Sequence, residues 1–497
     1  MDDTRYESVV RGQLTADVDE DVHRIEQQLK AQTATYVPHK EQQVSRHKLL
    51  RMVQTSNVCQ RIISGVILGT AVTVYLVLGP QSAPIYLCSF VVSVCNYEYA
   101  WIAERITHRF KTAYLEENLS ASHPASSCSI RPFDGLRRAV TPISFGYPRL
   151  TAGLLSSIIA GLCTFFVLYL NLHHWHYKSS ADAVFSYSVL DLVLFIGVTT
   201  WLTCFCAFLT PSPRCMLNVF FQQIAYALVT VTNYYCFHFD NVCYAPIETS
   251  HGRWLALVLI LMNRLPLCRR ITPSDAIESF VRILLDTVGF AYIVLLMQPI
   301  SDLLIQVDGA PRIALGFLAV VWGTDTGAYV VGQVLKNMKY RGLHPLAHHI
   351  SPNKDLEGTL GGVALGLGAI ILVDALMPLP SDLTPEIIHL QRISRLLFAV
   401  VGGLISRYGD LFASLLKRMA GVKDTGALIP GHGGLLDRVD ALLFVGAIFA
   451  LYHRCAFAPY YDYYIDAYYE NSLVTTQNLI ARMTEYWIPI VTSTISS

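Results

Sequence analysis

The sequence predicts an all-α, polytopic integral membrane helical bundle of about 8–10 transmembrane helices. Three observations carry that prediction. Hydrophobic residues make up 53% of the 497 positions. Charged residues make up only 15%, against about 25% in an average soluble domain, and the mean hydropathy is +0.40. Apolar runs recur at close to the ~20 residues that a helix needs to cross hydrocarbon, and the charges gather between them. Lys plus Arg and Asp plus Glu both total 37; a chain with no net positive charge lacks the basic surface of a nucleic-acid binder, so no nucleic-acid partner is expected.

Residues 1–60 mix acids and bases and lack the apolar core of a signal peptide. Asp2, Asp3, Glu7, Asp17, Asp19, Glu20, Asp21 and Glu26 are unlike an acid-poor mitochondrial transit peptide. This segment is expected to be a cytosolic extension. From Arg61 the chain turns apolar, with Ile62–Gly79 and Pro84–Ala103 separated by a short Pro80-Gln-Ser-Ala break, which reads as a helical hairpin. Lys40, Arg46, Lys48, Arg51 and Arg61 precede it, and Arg105, Arg109, Lys111, Arg131, Arg137 and Arg138 follow it. Since basic loops stay cytoplasmic, both flanks are expected on that side.

Residues 104–149 read as a polar loop. Further spans are expected at 151–171, 185–209, 216–237, 281–300, 313–335, 358–378, 393–408 and 433–452, with a short candidate at 254–263. From Pro459 the tail is rich in tyrosine, a composition suited to the headgroup interface. The expected organisation is an extension at 1–60, an N-terminal transmembrane part at 61–312, a C-terminal transmembrane region at 313–455, catalytic on the reading of its charged motifs given below, and an interfacial or soluble tail at 456–497. The twelve cysteines are scattered. Cys204 and Cys206, two apart on a helix, face different directions, so neither disulfides nor a cysteine metal site is expected.

The chemistry concentrates between Ser414 and Asp440. On a helix from Gly402 to Met419, Asp410, Ser414, Lys417 and Arg418 fall at i, i+4, i+7 and i+8 on one polar face, while Leu411, Phe412, Leu415, Leu416 and Met419 fall on the other. Cations that simply snorkel to the surface are the plain alternative for Lys417 and Arg418. Asp437 and Asp440 stand at i and i+3 near the start of the next apolar helix, where two acids repel unless a cation lies between them. Helix capping plus a bridge to Arg438 is the alternative there. Pro430-Gly431-His432-Gly433-Gly434 offers unobstructed backbone amides before that helix, as phosphate binding requires. His432 suits phosphate contact, proton transfer or a purely structural turn. Cations and carboxylates together suit a phosphate ligand bridged by a divalent metal, and hence a nucleotide.

A second cluster lies upstream. Asp325, within Trp322-Gly-Thr-Asp-Thr-Gly-Ala-Tyr329, is an acid inside an otherwise spanning segment, which costs several kcal/mol unless it is partnered. A hydrogen-bonded helix contact is the alternative to a site role. The loop with Lys336, Lys339 and Arg341 runs into Ser351-Pro352-Asn353-Lys354-Asp355-Leu356-Glu357-Gly358 and a further apolar helix, forming a second wall for a polyphosphate.

The run from Ser414 to Asp440 resembles the signature of the CDP-diacylglycerol synthases, also called phosphatidate cytidylyltransferases. Asp325–Tyr329 and Ser351–Gly362 look like that family's segments as well, and Arg61 with Asn96-Tyr97-Glu98 resembles its N-terminal hairpin. The resemblance is strongest over 313–450. Two departures stand out: Gln333 follows Gly332 where a basic residue is usual, and Asp355-Leu356 replaces a Thr-Trp or Thr-Val pair.

The resemblance implies a multi-helix membrane nucleotidyltransferase of phospholipid biosynthesis that joins CTP and phosphatidic acid to give CDP-diacylglycerol and pyrophosphate. It implies Mg²⁺ as cofactor, with a second cation left open. Asp410, Asp437 and Asp440 then take the metal, acting in catalysis with Lys417, Arg418 and Lys423. Ser414, Asp424, His432, Gly433, Gly434, Arg438, Asp325, Ser351, Lys354 and Glu357 line the substrates. The lipid bilayer is the remaining partner, and a homodimer is left open. The nearest rival is a CTP-dependent lipid kinase of the dolichol or phytol type, and an ion-coupled transporter is a more distant one. The expected location is the endoplasmic reticulum, with a bacterial inner membrane or a mitochondrion as alternatives.

Overall fold

The computed structural model describes residues 57–80, 82–122, 137–177, 184–238, 249–265, 272–306, 310–340, 342–352, 354–377, 385–426, 428 and 433–453. Two compact units divide the chain, Met1–Cys59 and Gln60–Ser497, and the second carries the architecture below.

Every described element is helical. In order they are α1 (Asn57–Leu78), α2 (Ala83–Ser122), α3 (Pro148–Tyr177), α4 (Val184–Phe208), α5 (Pro213–His238), α6 (Thr249–Arg264), α7 (Pro273–Gly289), α8 (Leu296–Gln306), α9 (Ala310–Asn337), α10 (Leu356–Leu376), α11 (Pro385–Ala420) and α12 (Leu436–Tyr452). A π-helical turn, Phe290–Leu295, joins α7 to α8 and lets the pair run as one rod past Pro299. Helices stand at each expected span, including the short candidate at 254–263, now α6. Among the described residues seven helices are long and apolar enough to cross a membrane, and the chain is a multi-pass integral membrane protein. The tyrosine-rich tail and the extension at 1–56 lie outside the described residues.

The segment 104–149 differs from its expectation as a polar loop, because α2 continues to Ser122. The reason is tertiary. Ile102 and Ile106 are buried, while the polar residues of the extension find partners on α7: Arg282 grips Glu104 through both guanidinium ends at 2.5 and 2.8 Å, and Lys111 meets Glu278 at 2.5 Å. Arg109 donates to the carbonyls of Arg418 and Met419, each at 3.0 Å, satisfying the orphaned C-terminus of α11. That contact places the end of α2 at the same end of the bundle as the candidate site.

Glycines hold α9 against α10. A Cβ on Gly323 would lie 2.8 Å from the Gly366 Cα, and one on Gly327 would lie 2.7 Å from the Gly361 carbonyl oxygen and 2.9 Å from the Gly362 Cα. Gly323 and Gly327 on one helix thus face Gly362 and Gly366 on the other, a small-residue seam on both partners. In lipid, where apolar burial gives no advantage over contact with acyl chains, such backbone proximity supplies the packing that joins two helices.

Replacing Gly327 with leucine should therefore force the pair apart, destabilising the protein by about 1–3 kcal/mol or more. Gly332→Ala, where nothing lies within 4 Å of the added carbon, should leave it intact. Thermal unfolding of both variants in mild detergent checks this; equal melting temperatures would contradict the seam.

Candidate active site

Three helices and two loops bring the charged residues together. The loop before α10 is fixed by its own backbone: the Leu346 amide donates to the Lys354 carbonyl at 2.9 Å and the Leu356 amide to the His344 carbonyl at 2.8 Å. Glu357 clamps the far side, accepting from the His344 amide at 3.1 Å and meeting its Nδ1 at 2.7 Å, while Asp355 caps α10 through the Gly358 amide at 2.6 Å. Held this way, Lys354 is buried and its Nζ reaches Asp410 Oδ2 on α11 at 2.5 Å. Burial pushes the Lys354 ammonium below the ordinary lysine range, with Asp410 opposing the shift.

One helical turn before Asp410, Arg407 Nη1 lies 3.7 Å from Asp325 Oδ1 on α9. Arg407 is buried, whereas the Asp325 side chain keeps 53% of its exposure. Asp440, on the first turns of α12, is buried and accepts from the Ala441 amide at 2.8 Å. A Cβ on Gly409, the neighbour of Asp410, would lie 3.3 Å from the Asp440 carbonyl oxygen, so Asp410 and Asp440 come from touching turns of α11 and α12. Lys354 meets Asp410, Arg407 meets Asp325 and Lys417 meets Asp437 around that contact.

Asp437 belongs to a different arrangement. Its Oδ1 meets Lys417 Nζ at 2.8 Å, and its Oδ2 accepts from the backbone amides of Thr425 at 2.8 Å and Gly434 at 3.0 Å. The spacing predicted Asp437 and Asp440 as paired ligands with Asp410. In the structure Asp437 is held by Lys417 and by the Thr425 and Gly434 amides, while Asp410 is held by Lys354. Among the described residues no group of three or more His, Cys, Asp or Glu side chains stands ready as a metal cage. A hard divalent cation of the magnesium kind takes one or two protein carboxylates and fills its remaining positions with water and substrate phosphate. Asp410 and Asp440 are carboxylates of the kind such an ion accepts.

The other predicted residues spread around this centre. Ser414 is half-buried on α11, and Arg418, Lys423, Asp424 and Arg438 are exposed. Arg418 Nε donates to the Ile350 carbonyl at 3.4 Å, tying α11 to the loop that holds Ser351 and Lys354. Ser351 serves that loop through its backbone, its amide donating to the Ala347 carbonyl at 2.9 Å. Gly433 takes a φ of 85° and would bring a Cβ 3.2 Å from that of Asp424, so the turn needs glycine both for its conformation and for its closeness. His432 lies outside the described residues. Glu357 is the clamp of the Lys354 loop.

Two contributors exceed the predicted set. Arg407 is one, and its sequence signal was a cation within an apolar run. Glu98 is the other: buried on α2, it accepts from the Thr425 hydroxyl at 2.9 Å and from the amides of Leu435 at 2.9 Å and Leu436 at 2.8 Å. It thus occupies the N-terminus of α12 and pins Thr425 to a helix more than three hundred residues earlier.

Residues 183–456 match the cytidylyltransferase family. A phosphatidate cytidylyltransferase of Staphylococcus epidermidis is 41% identical over 138 residues, 28% of this chain and 47% of that protein. One of Bacillus subtilis is 46% identical over 128 residues, 25% of this chain and 41% of the relative. One of Staphylococcus saprophyticus is 35% identical over 192 residues, 38% and 64% of the respective lengths. The chain spans about half the length of the curated relatives it matches.

The Lys417–Asp437 pair is nearly sealed from solvent, with side-chain exposures of 12% and 5%. Lys417→Met leaves a buried carboxylate with amides but no cation, and should cost about 3–5 kcal/mol. Exposed Lys423→Met should cost less than about 0.5 kcal/mol. Chemical denaturation of the detergent-solubilised variants measures the difference, and similar losses at both positions would exclude a structural pair at Lys417.

Proposed function

The chain belongs to the cytidylyltransferase family, and we propose that it joins CTP to phosphatidic acid, releasing pyrophosphate and forming CDP-diacylglycerol. The observation that supports this reading is the gathering of acids and cations where α9, α11 and α12 meet: Lys354 with Asp410, Arg407 with Asp325 and Lys417 with Asp437, beside buried Asp440. Carboxylates beside cations suit a ligand that brings phosphates and a divalent ion together. The names of the relatives agree with it.

The phosphatidate phosphate is already anionic near neutral pH, so its oxygen attacks the α-phosphorus of CTP without a general base. One P–O bond forms, the α–β anhydride bond breaks in line with it, and pyrophosphate leaves with the electron pair. Such a displacement needs little covalent help from the protein; positioning and charge neutralisation do most of the work. Bound Mg²⁺, held by Asp410 and Asp440, would lower the charge on the triphosphate. Lys354 shares Asp410 with that role and presents a donor at the same edge. Arg418, Lys423 and Arg438, exposed around the loop, suit the outer phosphates and the phosphatidate headgroup. Glu98 and Asp437 hold Thr425 and the start of α12. The basic flanks of the α1–α2 hairpin support a cytoplasmic position for this end of the bundle.

Asp440→Asn should give an inserted, folded protein whose CDP-lipid output falls by about 10²–10³-fold, measured with purified enzyme, CTP and phosphatidic acid. With α-labelled CTP, label should enter the lipid of the unaltered protein while pyrophosphate is released. Lipid labelled only from γ-labelled CTP would instead mark a kinase and overturn the proposal.

A further inference from the structure

Just before α3 the chain makes a tight turn that turns apolar side chains outward. Phe145 is 97% exposed, Tyr147 70% and Ile143 56%. The turn itself is firmly built. Ser144 is buried and its hydroxyl donates to the Thr141 carbonyl at 2.9 Å, the Thr151 hydroxyl donates to the Tyr147 carbonyl at 3.0 Å, and the Ala139 and Val140 amides donate to the Thr210 and Phe208 carbonyls at the C-terminal end of α4 at 2.7 and 3.2 Å. Phe145 also has a φ of 48°, a left-handed conformation that costs a bulky residue roughly 1–2 kcal/mol. A strained backbone, held by hydrogen bonds and offering an aromatic ring to no part of the described protein, points to a partner outside it.

Position and charge say which partner. Tyr147, Leu150, Leu154 and Ile158 are all exposed, and their spacing of i, i+3, i+7 and i+11 makes one stripe that runs from the turn down α3, a membrane-crossing helix. The turn is the point at which that lipid-facing stripe reaches the surface. Arg137 and Arg149 flank it and are exposed. The neighbouring Arg138 guanidinium lies 5.8 Å from the Trp101 ring, one helical turn from Glu98 on α2, which sets the turn at the end of the bundle where the candidate active site lies.

We propose that the 141–147 turn is an interfacial wedge: Phe145 and Tyr147 sit in the headgroup layer of the leaflet bordering the candidate site, and Arg137 and Arg149 pair with the phosphates of anionic lipid there. Aromatic rings at headgroup depth and arginines facing lipid phosphate are the chemistry that such a layer rewards. The assignment is independent of the reaction proposed above.

The test uses the full chain with an environment-sensitive fluorescent amino acid replacing Phe145, reconstituted into phosphatidylcholine vesicles with and without phosphatidylglycerol, an anionic lipid chosen to keep binding separate from turnover. Lipids brominated near the glycerol, at the ~5–10 Å depth of interfacial binders, should quench the probe, and aqueous acrylamide should not. Phosphatidylglycerol should shift the emission further to the blue, and Arg137→Gln with Arg149→Gln should abolish that shift. Quenching by acrylamide alone overturns the wedge, as does quenching by neither reagent, the mark of a site covered by protein. Identical emission in the two lipid mixtures overturns the pairing of the arginines with lipid phosphate.

Discussion

Asp325, Asp410, Asp437 and Asp440 bring four carboxylates to one part of an apolar bundle, and much of the surrounding structure answers their charge. Unpaired carboxylates in such a setting are costly. Lys354 comes from a loop to meet Asp410, Arg407 comes from the preceding turn of α11 to meet Asp325, and Lys417 closes the other end against Asp437. Each of these cations thus answers one acid, and Asp440 is the buried acid that takes a backbone amide. A phosphate-bearing ligand with a divalent ion is the kind of occupant that suits such a cluster.

Holding that cluster requires rigid helices, and the rigidity is obtained differently on its two sides. Toward α9 and α10 the backbones touch through glycines. Toward α2 and α12 the joint is polar: Glu98 fills the helix terminus, and Arg109 satisfies the end of α11. Small residues and hydrogen bonds both suit a medium in which apolar burial alone does not discriminate between protein and lipid. The polar half of α2 makes the same point, since its charges were unreadable as helix until α7 supplied their partners.

Much of this was legible in the chain. Apolar runs near spanning length located the helices, because the cost of exposing backbone to lipid is local and forces helix wherever such a run occurs. The periodic face with Asp410, Ser414, Lys417 and Arg418 was readable for the same reason, and so was the oddity of Asp325 within a span. Arg407 was missed although it carried the same signal of a charge among apolar residues. Glu98 entered only through its resemblance to a family hairpin, and nothing in its neighbourhood announced a contact with Thr425 or with the start of α12.

By itself the sequence determined the helical membrane class, the approximate spans and the region where the charges converge, since periodicity and desolvation act over a few residues. Only the tertiary structure decided which acids face one another. Asp437 and Asp440 share a helix face by spacing, yet Asp437 takes two amides and Lys417, while Asp325, on a helix more than a hundred residues earlier, meets Arg407 one turn before Asp410. Such pairings depend on how helices rotate and how loops return, which no local pattern records.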